Sequence, residues 1–159
     1  MTYQHHGFFT PLFHISALFG SPDATTRSVA EAMAGNRFWF STGQAALGLL
    51  IHMMTGAMFG IGWFAVPARR IPSAALIPAG AVYGLAAFVV SAFVGLPVAA
   101  KVTGSGGTIS DMASRVGWAT FAVEHMMFGL VLGAIALRNT SAAGTPGAMV
   151  GARSAMLSR

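Results

Sequence analysis

The sequence predicts an all-α integral membrane protein: a helical bundle with three membrane spans, a fourth as an alternative, and a short amphipathic helix near the N-terminus. Of its 159 residues, 55% are hydrophobic and only 8% are charged, and the mean hydropathy is +0.67. A soluble domain usually carries about 25% charged residues, so this chain has too few polar side chains to cover a globule in water. Three apolar stretches are long enough to cross a bilayer, and basic or aromatic residues flank each of them.

Composition also excludes several kinds of chemistry. The chain has no cysteine, which rules out disulfides, thiolate nucleophiles, iron–sulfur clusters and cysteine-ligated zinc. Nine Lys and Arg against four acidic residues give a net charge of +5, but the basic residues lie at the ends of the apolar stretches. This distribution indicates membrane topology and no nucleic-acid partner. The first ten residues lack the basic and apolar regions of a secretory signal.

Residues 1–39 form a predicted N-terminal region, an interfacial segment followed by an amphipathic helix. Within it, residues 7–20 are apolar but fall short of the roughly 20 residues that a span needs. We predict an interfacial or re-entrant segment there, with a shortened or tilted span as the alternative. The histidines of this region, His5, His6 and His14, have no carboxylate among them and no helical i, i+4 pair, so a metal site is not favoured.

A water-facing helix is predicted over residues 21–34. Ser21, Pro22 and Asp23 form a helix start, with a hydroxyl that can cap the first amides, a proline in the first turn and a carboxylate near the positive end of the helix dipole. Gly35 is expected to end the helix. Charged residues at four-residue spacing give it one solvated face, so it should connect the N-terminal segment to the first span.

The transmembrane bundle is predicted to occupy residues 40–137, followed by a flexible basic tail over residues 138–159. Aromatic and basic residues at the ends of the apolar stretches set the boundaries of the spans. The three predicted spans cover residues 40–66, 73–99 and 116–137. A flexible polar loop rich in Gly, Ser and Thr is predicted between the second and third spans, over residues 102–114.

The basic residues also predict an orientation. The loop after the first span and the C-terminal tail lie on one side of this topology and carry five Lys and Arg, namely Arg69, Arg70, Arg138, Arg153 and Arg159. The opposite side carries four basic residues together with three acidic ones. Because cytoplasmic loops are enriched in Lys and Arg, the count predicts a cytoplasmic C-terminus by a narrow margin.

The same nine-residue pattern occurs twice, in the first and third spans. It reads His-Met-Met-Thr-Gly-Ala-Met-Phe-Gly over residues 52–60 and His-Met-Met-Phe-Gly-Leu-Val-Leu-Gly over residues 125–133. At about 100° per residue, each histidine and the glycines four and eight positions later fall within about 80° of one helix face. Small residues at this spacing let helices approach closely. The predicted packing glycines are Gly56 and Gly60 in the first span, Gly80 and Gly84 in the second, and Gly129 and Gly133 in the third.

A buried polar layer is predicted near the middle of the bundle. The first and third spans run parallel in this topology, and the depths of His52 and His125 agree within roughly 5 Å at 1.5 Å per residue. The other polar residues assigned to the layer are Gln44, Thr55, Thr120 and Glu124. An ionised carboxylate at this depth is unfavourable when unpaired, so Glu124 should be neutral or paired with a histidine or with a partner outside the chain. Any function should be located in this layer.

Three interpretations of this layer remain open. The histidines, Glu124 and the hydroxyls can form interhelical hydrogen bonds that specify the packing. Alternatively, His52 and His125 bind a cofactor, either a b-type haem or a metal ion, with the neighbouring glycines making room for it. In the third interpretation the ionisable side chains carry protons or a small solute across the membrane.

The paired His-x-x-x-Gly-x-x-x-Gly spans, preceded by a short amphipathic connector, resemble a loose group of small bacterial inner-membrane proteins, most of them uncharacterised. The resemblance covers residues 8–137. Members of this group tend to have a complete membrane helix before the connector, whereas here only residues 7–20 occupy that position. The resemblance implies a cell-membrane location and provides no catalytic or binding residue.

The sequence therefore favours a small multi-pass membrane protein without catalytic activity of its own, acting as an accessory or structural subunit. Its expected partners are the lipid bilayer and either further copies of the chain or other membrane subunits. The alternative functions are redox chemistry with haem or a metal and a proton or small-solute pathway, both through His52, His125 and Glu124.

Overall fold

In the computed structural model, residues 6–65 and 67–143 are described, and within these ranges the chain is helical with no strand. Three helices are long and apolar enough to cross a bilayer: Thr42–Arg70, Ser73–Thr103 and Trp118–Ser141, of 29, 31 and 24 residues. The all-α class and the three long apolar helices are therefore confirmed.

The helices are numbered in chain order. Helices α1 and α2 cover Thr10–Ser16 and Asp23–Met33, and the first long helix comprises α3, Thr42–Ala65, and the short α4, Pro67–Arg70. The second long helix starts with a 3-10 turn, Ser73–Ala75, and continues as α5, Leu76–Val90, a π-helical turn, Ser91–Gly95, and α6, Leu96–Thr103. Two short helices follow, α7 at Gly107–Ser110 and α8 at Met112–Val116, before α9 at Trp118–Ala143.

Helices α5 and α9 form a tight antiparallel pair. A Cβ atom added to Gly80 would overlap with the backbone of Gly129 and Gly133, and one added to Gly84 would overlap with the backbone of His125. Since both backbones already touch at these positions, only glycine fits there. The pair continues into a core cluster formed by Trp63, Leu76, Leu132 and Ala136.

Helix α3 runs parallel to α9 but packs against it less closely. A Cβ atom on Gly56 would lie 3.9 Å from the Phe128 ring, and one on Gly60 would lie 3.8 Å from Leu132, which are ordinary van der Waals distances. Here glycine faces a large side chain and not another glycine. The space beside these contacts, toward the N-terminal half of α3, is open to the cleft described below.

The contacts between α3 and α5 lie in the C-terminal half of α3. The Tyr83 hydroxyl donates a hydrogen bond of 2.7 Å to the carbonyl oxygen of Phe59. The Tyr83 ring also packs against Trp63, with 5.2 Å between the ring centroids. This hydrogen bond joins two of the long helices through a backbone carbonyl of α3.

Helix α1 packs against the N-terminal half of α3. The backbone of Leu12 lies directly on Gly48, where a Cβ atom would overlap with the Leu12 carbonyl. Phe13 is fully buried in a cluster with Ala24 and Ala45. With seven residues, α1 is about 10 Å long at 1.5 Å per residue. Residues 7–20 therefore contain a short helix that lies against α3 and is too short to cross a bilayer alone.

Helix α2 agrees closely with the predicted connector. It covers Asp23–Met33, and the Ser21 hydroxyl accepts a hydrogen bond of 3.2 Å from the Asp23 amide. Gly35 follows with a φ of 95°, a left-handed conformation that glycine adopts without strain. The carboxylate of Glu31 lies 3.8 Å from Arg27 one turn earlier.

The polar loop predicted over residues 102–114 is the main error in the helix boundaries. The second long helix continues to Thr103, because Pro97 falls in the first turn of α6, where its missing amide is tolerated. Helices α7 and α8 then bury Ile109, Met112 and Ala113. These apolar side chains at three- and four-residue spacing outweighed the glycines and serines around them.

The predicted tail starts later than expected. Helix α9 continues to Ala143, beyond the predicted end of the third span at residue 137. Thr140 donates a 2.7 Å hydrogen bond to the carbonyl of Leu137, which is typical of a hydroxyl on a helix surface. The rest of the predicted tail, residues 144–159, lies outside the described residues.

Candidate binding cleft

A cleft of about 380 Å³ lies between α1, α3, the π-helical turn and α9. Its walls are mainly aliphatic and aromatic side chains, including those of Leu12, Phe59, Phe121 and Phe128. Five polar side chains interrupt this apolar surface: His52, Thr55, Ser91, Glu124 and His125. The structure therefore brings both histidines of the repeat, together with Thr55 and Glu124, into one cleft.

Helical periodicity explains how α3 and α9 contribute to the cleft. His52, Thr55 and Phe59 are spaced by three and four residues and share one face of α3. Phe121, Glu124, His125 and Phe128 are spaced in the same way on α9. Because the two helices are parallel and Gly56 faces Phe128, the two histidines lie at corresponding levels of the cleft.

The His125 ring is held in a defined orientation. Its Nδ1 lies 2.8 Å from the carbonyl oxygen of Phe121, and because a carbonyl only accepts, Nδ1 carries the proton and donates. The Phe121 ring packs on the imidazole with 4.4 Å between centroids, and Phe88 lies 6.2 Å from it. In the neutral ring, Nε2 is then left with a lone pair that can accept a hydrogen bond or bind a metal.

The Glu124 carboxylate has no counter-ion in the described part of the chain. Asp111 lies 3.8 Å from Arg115, and Glu31 has its own arginine, but Glu124 forms no ion pair or hydrogen bond with residues 6–65 and 67–143. Glu124 is also the only acidic residue within the three long helices. It is exposed to the cleft, where no Lys or Arg is found among the described lining residues.

The remaining polar groups of the cleft differ in what they can still bind. The Thr55 hydroxyl donates a 2.9 Å hydrogen bond to the Ile51 carbonyl and retains lone pairs that can accept. His52 is exposed, and its ring makes no hydrogen bond with the described residues. The Ser91 hydroxyl likewise has no hydrogen-bond partner among them. The cleft thus holds several polar groups whose partners the described chain does not supply.

Two residues assigned to the polar layer lie elsewhere. The Gln44 side chain accepts a 2.8 Å hydrogen bond from the Ser16 hydroxyl and so joins α3 to α1, about 12 Å along the helix from His52. Thr120 is partly buried and is not among the residues that line the cleft. Sequence spacing alone places Gln44 on the face of His52, but α1 covers that part of the face.

Sequence reasoning also missed part of the cleft. Ser91 and Leu96 belong to the π-helical turn and its continuation, and Pro11, Leu12 and Ile15 come from α1. A π-helical turn re-aims side chains locally and often occurs at functional sites. The combination of Gly95 and Pro97 near the end of an apolar helix was the signal that could have indicated an irregular turn there.

The N-terminal histidines lie outside the cleft. The rings of His6 and His14 are 6.4 Å apart, and His14 Nδ1 lies 3.3 Å from the Thr108 carbonyl, to which it donates. Burial lowers the pKa of His14 to about 4, so the imidazole is neutral at pH 7. The described residues contain no group of three His, Asp or Glu that could hold a metal ion, and His5 lies outside them.

No protein-family model, curated protein or solved structure matches this chain. The geometry itself defines the class: an all-helical protein with three long apolar helices and an open cleft that combines apolar walls with unpartnered polar groups. Its function is therefore argued from the cleft and from the surfaces of the helices.

Proposed function

We propose that this chain is an integral protein of the cell membrane. The support is the three long helices, with mean hydropathies of 1.6, 2.0 and 1.7, and the apolar side chains on their outer surfaces. Met53, Met58 and Val131 are 62%, 72% and 55% exposed. A monomeric protein in water rarely exposes such continuous apolar surface, whereas the hydrocarbon of a bilayer solvates it.

Within the membrane, the chain acts by binding and not by catalysis, as an accessory subunit or ligand-binding module. The cleft takes a small molecule with an apolar body and a polar head. The observation that carries this proposal is the set of unpartnered polar groups, His52, Ser91, Glu124 and the Nε2 of His125, within largely apolar walls. Polar groups in an apolar site are unfavourable unless they are hydrogen-bonded, and a ligand head would supply those bonds.

The dimensions of the cleft agree with this role. Small-molecule sites usually measure about 300–1,000 Å³, are mostly apolar and contain a few convergent polar groups. The cleft is about 380 Å³ and has that composition. Neither hydroxyl of the described cleft is hydrogen-bonded to a general base: Thr55 donates to a backbone carbonyl, and Ser91 has no hydrogen-bond partner among the described residues. Binding is therefore the simpler function for these residues.

The exposed face of α3 is the expected contact surface for lipid or for a further subunit. Its large side chains, Leu49, Leu50, Met53, Met54 and Met58, are all at least half exposed. Methionine adapts to irregular partners because its side chain is unbranched and polarisable. A second copy of the chain or another membrane subunit on this face fits an accessory role.

Filling the cleft tests the proposed function. The variant Thr55→Trp places a large ring among the lining residues, whereas Met54→Trp places the same ring on the exposed outer face of the same helix. Each protein is purified in lipid nanodiscs, and small molecules are extracted and identified by mass spectrometry. Wild type and Met54→Trp should retain the same apolar compound, and Thr55→Trp should lose it. Equal retention by all three proteins would contradict binding in the cleft.

A second candidate function is the binding of a b-type haem by His52 and His125. The observation in its favour is the Nδ1 hydrogen bond of His125, which fixes the ring and leaves Nε2 as the ligand atom, as in many metal sites. Against it, a Cβ atom added to Gly56, one turn away, would already be in van der Waals contact with Phe128, which leaves little room for a macrocycle between the helices.

An absorption spectrum tests this candidate directly. A haem held by both histidines would give a reduced-minus-oxidised Soret band that is lost in His52→Ala and in His125→Ala. His14→Ala is the matched control, because His14 is the most buried of the described histidines and lies outside the cleft. A flat spectrum of the wild-type protein after growth with added haem would exclude this candidate.

A further inference from the structure

We propose that the ligand of the cleft is a lipophilic organic cation, an ammonium or another onium group with an apolar body. This inference rests on the proposed function, since it names the chemical class of the molecule that the cleft binds. It follows from the charge, the aromatic walls and the hydrogen-bonding capacity of the same small set of residues.

The charge argument begins with Glu124. Its carboxylate is the only acidic group of the three long helices. It interacts electrostatically with the neighbouring His125, but it forms no ion pair within 4 Å with any described residue. A carboxylate in apolar surroundings is strongly disfavoured without a counter-charge. A bound organic cation would provide that counter-charge where the protein does not.

The aromatic walls favour the same class of ligand. Phe59, Phe121 and Phe128 all contribute to the cleft. Phe121 and Phe128 are each about one turn from His125 on α9, and Phe59 is about two turns from His52 on α3. The face of an aromatic ring attracts a cation electrostatically, and this attraction strengthens when the cation is removed from water. Three phenyl rings beside one carboxylate therefore suit an onium group better than they suit a neutral head.

The hydrogen-bonding groups are mainly acceptors. His125 Nε2 has a lone pair because Nδ1 donates to Phe121, and the Thr55 oxygen can accept because its proton is used on Ile51. Together with the Glu124 carboxylate they match the N–H donors of an ammonium. An anionic head such as a fatty carboxylate or a phosphate is disfavoured, because the described lining contains no Lys or Arg.

The test uses the purified full-length protein in phosphatidylcholine nanodiscs and measures binding by equilibrium dialysis. The probe is 4-phenylbutylammonium, which carries both a charge and N–H donors, and 4-phenylbutan-1-ol is the neutral comparison of similar shape. Wild type should bind the cation at least about tenfold more tightly than the neutral compound, because only the cation interacts electrostatically with the Glu124 carboxylate and with the faces of the phenyl rings. Glu124→Gln should weaken cation binding by about tenfold or more and leave binding of the neutral compound unchanged.

Two further variants keep the test decisive. Asp111→Asn removes a carboxylate that pairs with Arg115 outside the cleft, so it should bind the cation like wild type. Phe128→Leu keeps Glu124 but removes one ring, and cation binding should weaken severalfold. The Phe128→Leu result also covers the case in which Glu124→Gln fails to fold.

The results separate this inference from the function on which it rests. Binding of the cation by Glu124→Gln or Phe128→Leu with wild-type affinity would overturn the inference. Equal binding of the two probes by wild type would also overturn the inference. If Thr55→Trp then abolished the binding of both probes, the cleft would still be a site for neutral ligands. If neither probe binds, the inference fails. If Thr55→Trp also retains the same extracted compounds as wild type, the proposed function fails with it.

Discussion

At the scale of single residues, the two copies of the repeat place their histidines in different surroundings. The residue four positions before His125 is Phe121, whose carbonyl and ring both hold the imidazole. The residue four positions before His52 is Gly48, which has no side chain and is covered by the backbone of Leu12. A backbone carbonyl is present at both positions, but only Phe121 adds a ring that packs on the imidazole, so the side-chain difference accounts for the packing around His125 that His52 lacks.

His14 provides a prediction about pH. Burial lowers its pKa from 6.5 to about 4 in the folded protein, so the unfolded chain binds the extra proton first as the pH falls. Stability should therefore be highest above pH 6.5 and should decrease as the pH falls toward 4. The decrease due to His14 has an upper limit of about 3 kcal/mol. It is measured by thermal unfolding in detergent across this range.

The control for this prediction is a neutral amide at the same position. His14→Gln cannot be protonated, so its stability should change less between pH 6.5 and pH 4 than that of wild type. His6 and Arg115 also act on His14, but both remain in the variant. An equal loss of stability in wild type and His14→Gln would show that other groups govern the acid response.

At the scale of helices, the glycines at four-residue spacing have two different roles. Gly80 and Gly84 on α5 face Gly129 and Gly133 on α9, and the two backbones touch. The glycines of α3 face Phe128 and Leu132 at ordinary distances. The glycines of α5 and α9 therefore lie directly against the backbone of the partner helix, whereas Gly56 and Gly60 of α3 face side chains of α9. This difference explains why α3 stands further from α9 than α5 does.

This difference predicts opposite outcomes for two matched substitutions. Gly129→Ala adds a methyl group that overlaps with the Gly80 carbonyl, and overpacking of this kind typically destabilises by about 1–3 kcal/mol. Gly56→Ala adds the same group 3.9 Å from the Phe128 ring and should leave the thermal unfolding temperature unchanged or slightly higher, because alanine is the better helix former. The prediction fails if Gly129→Ala is as stable as Gly56→Ala.

Much of the helical pattern could be predicted from the sequence, whereas the cleft could be predicted only in part. The three long helices follow from composition and from the aromatic and basic residues at their ends. The shared level of His52 and His125 follows from equal depth on parallel helices. The cleft walls formed by α1 and the π-helical turn could not be predicted in this way. Contacts such as Leu12 with Gly48 and His14 with Thr108 join segments that are distant in the sequence, and their packing depends on the tertiary structure.

At the scale of the whole molecule, the described chain consists of a tight pair, α5 and α9, with α3 attached along one side. Core contacts around Trp63 and Tyr83 join the C-terminal end of α3 to the pair. Helix α1 fills part of the space beside the N-terminal half of α3. The cleft lies in the remaining gap.

The arrangement also makes the predicted orientation testable. The chain has no cysteine, so one introduced cysteine is the only thiol that a membrane-impermeant maleimide can label. Arg70 and Ser114 are both exposed and lie on opposite sides of the predicted topology. With the C-terminus in the cytoplasm, Ser114→Cys should react in intact cells, and Arg70→Cys should react only after the membrane is opened. Labelling of Arg70→Cys but not Ser114→Cys in intact cells would reverse the orientation, and labelling of both would contradict insertion across the membrane.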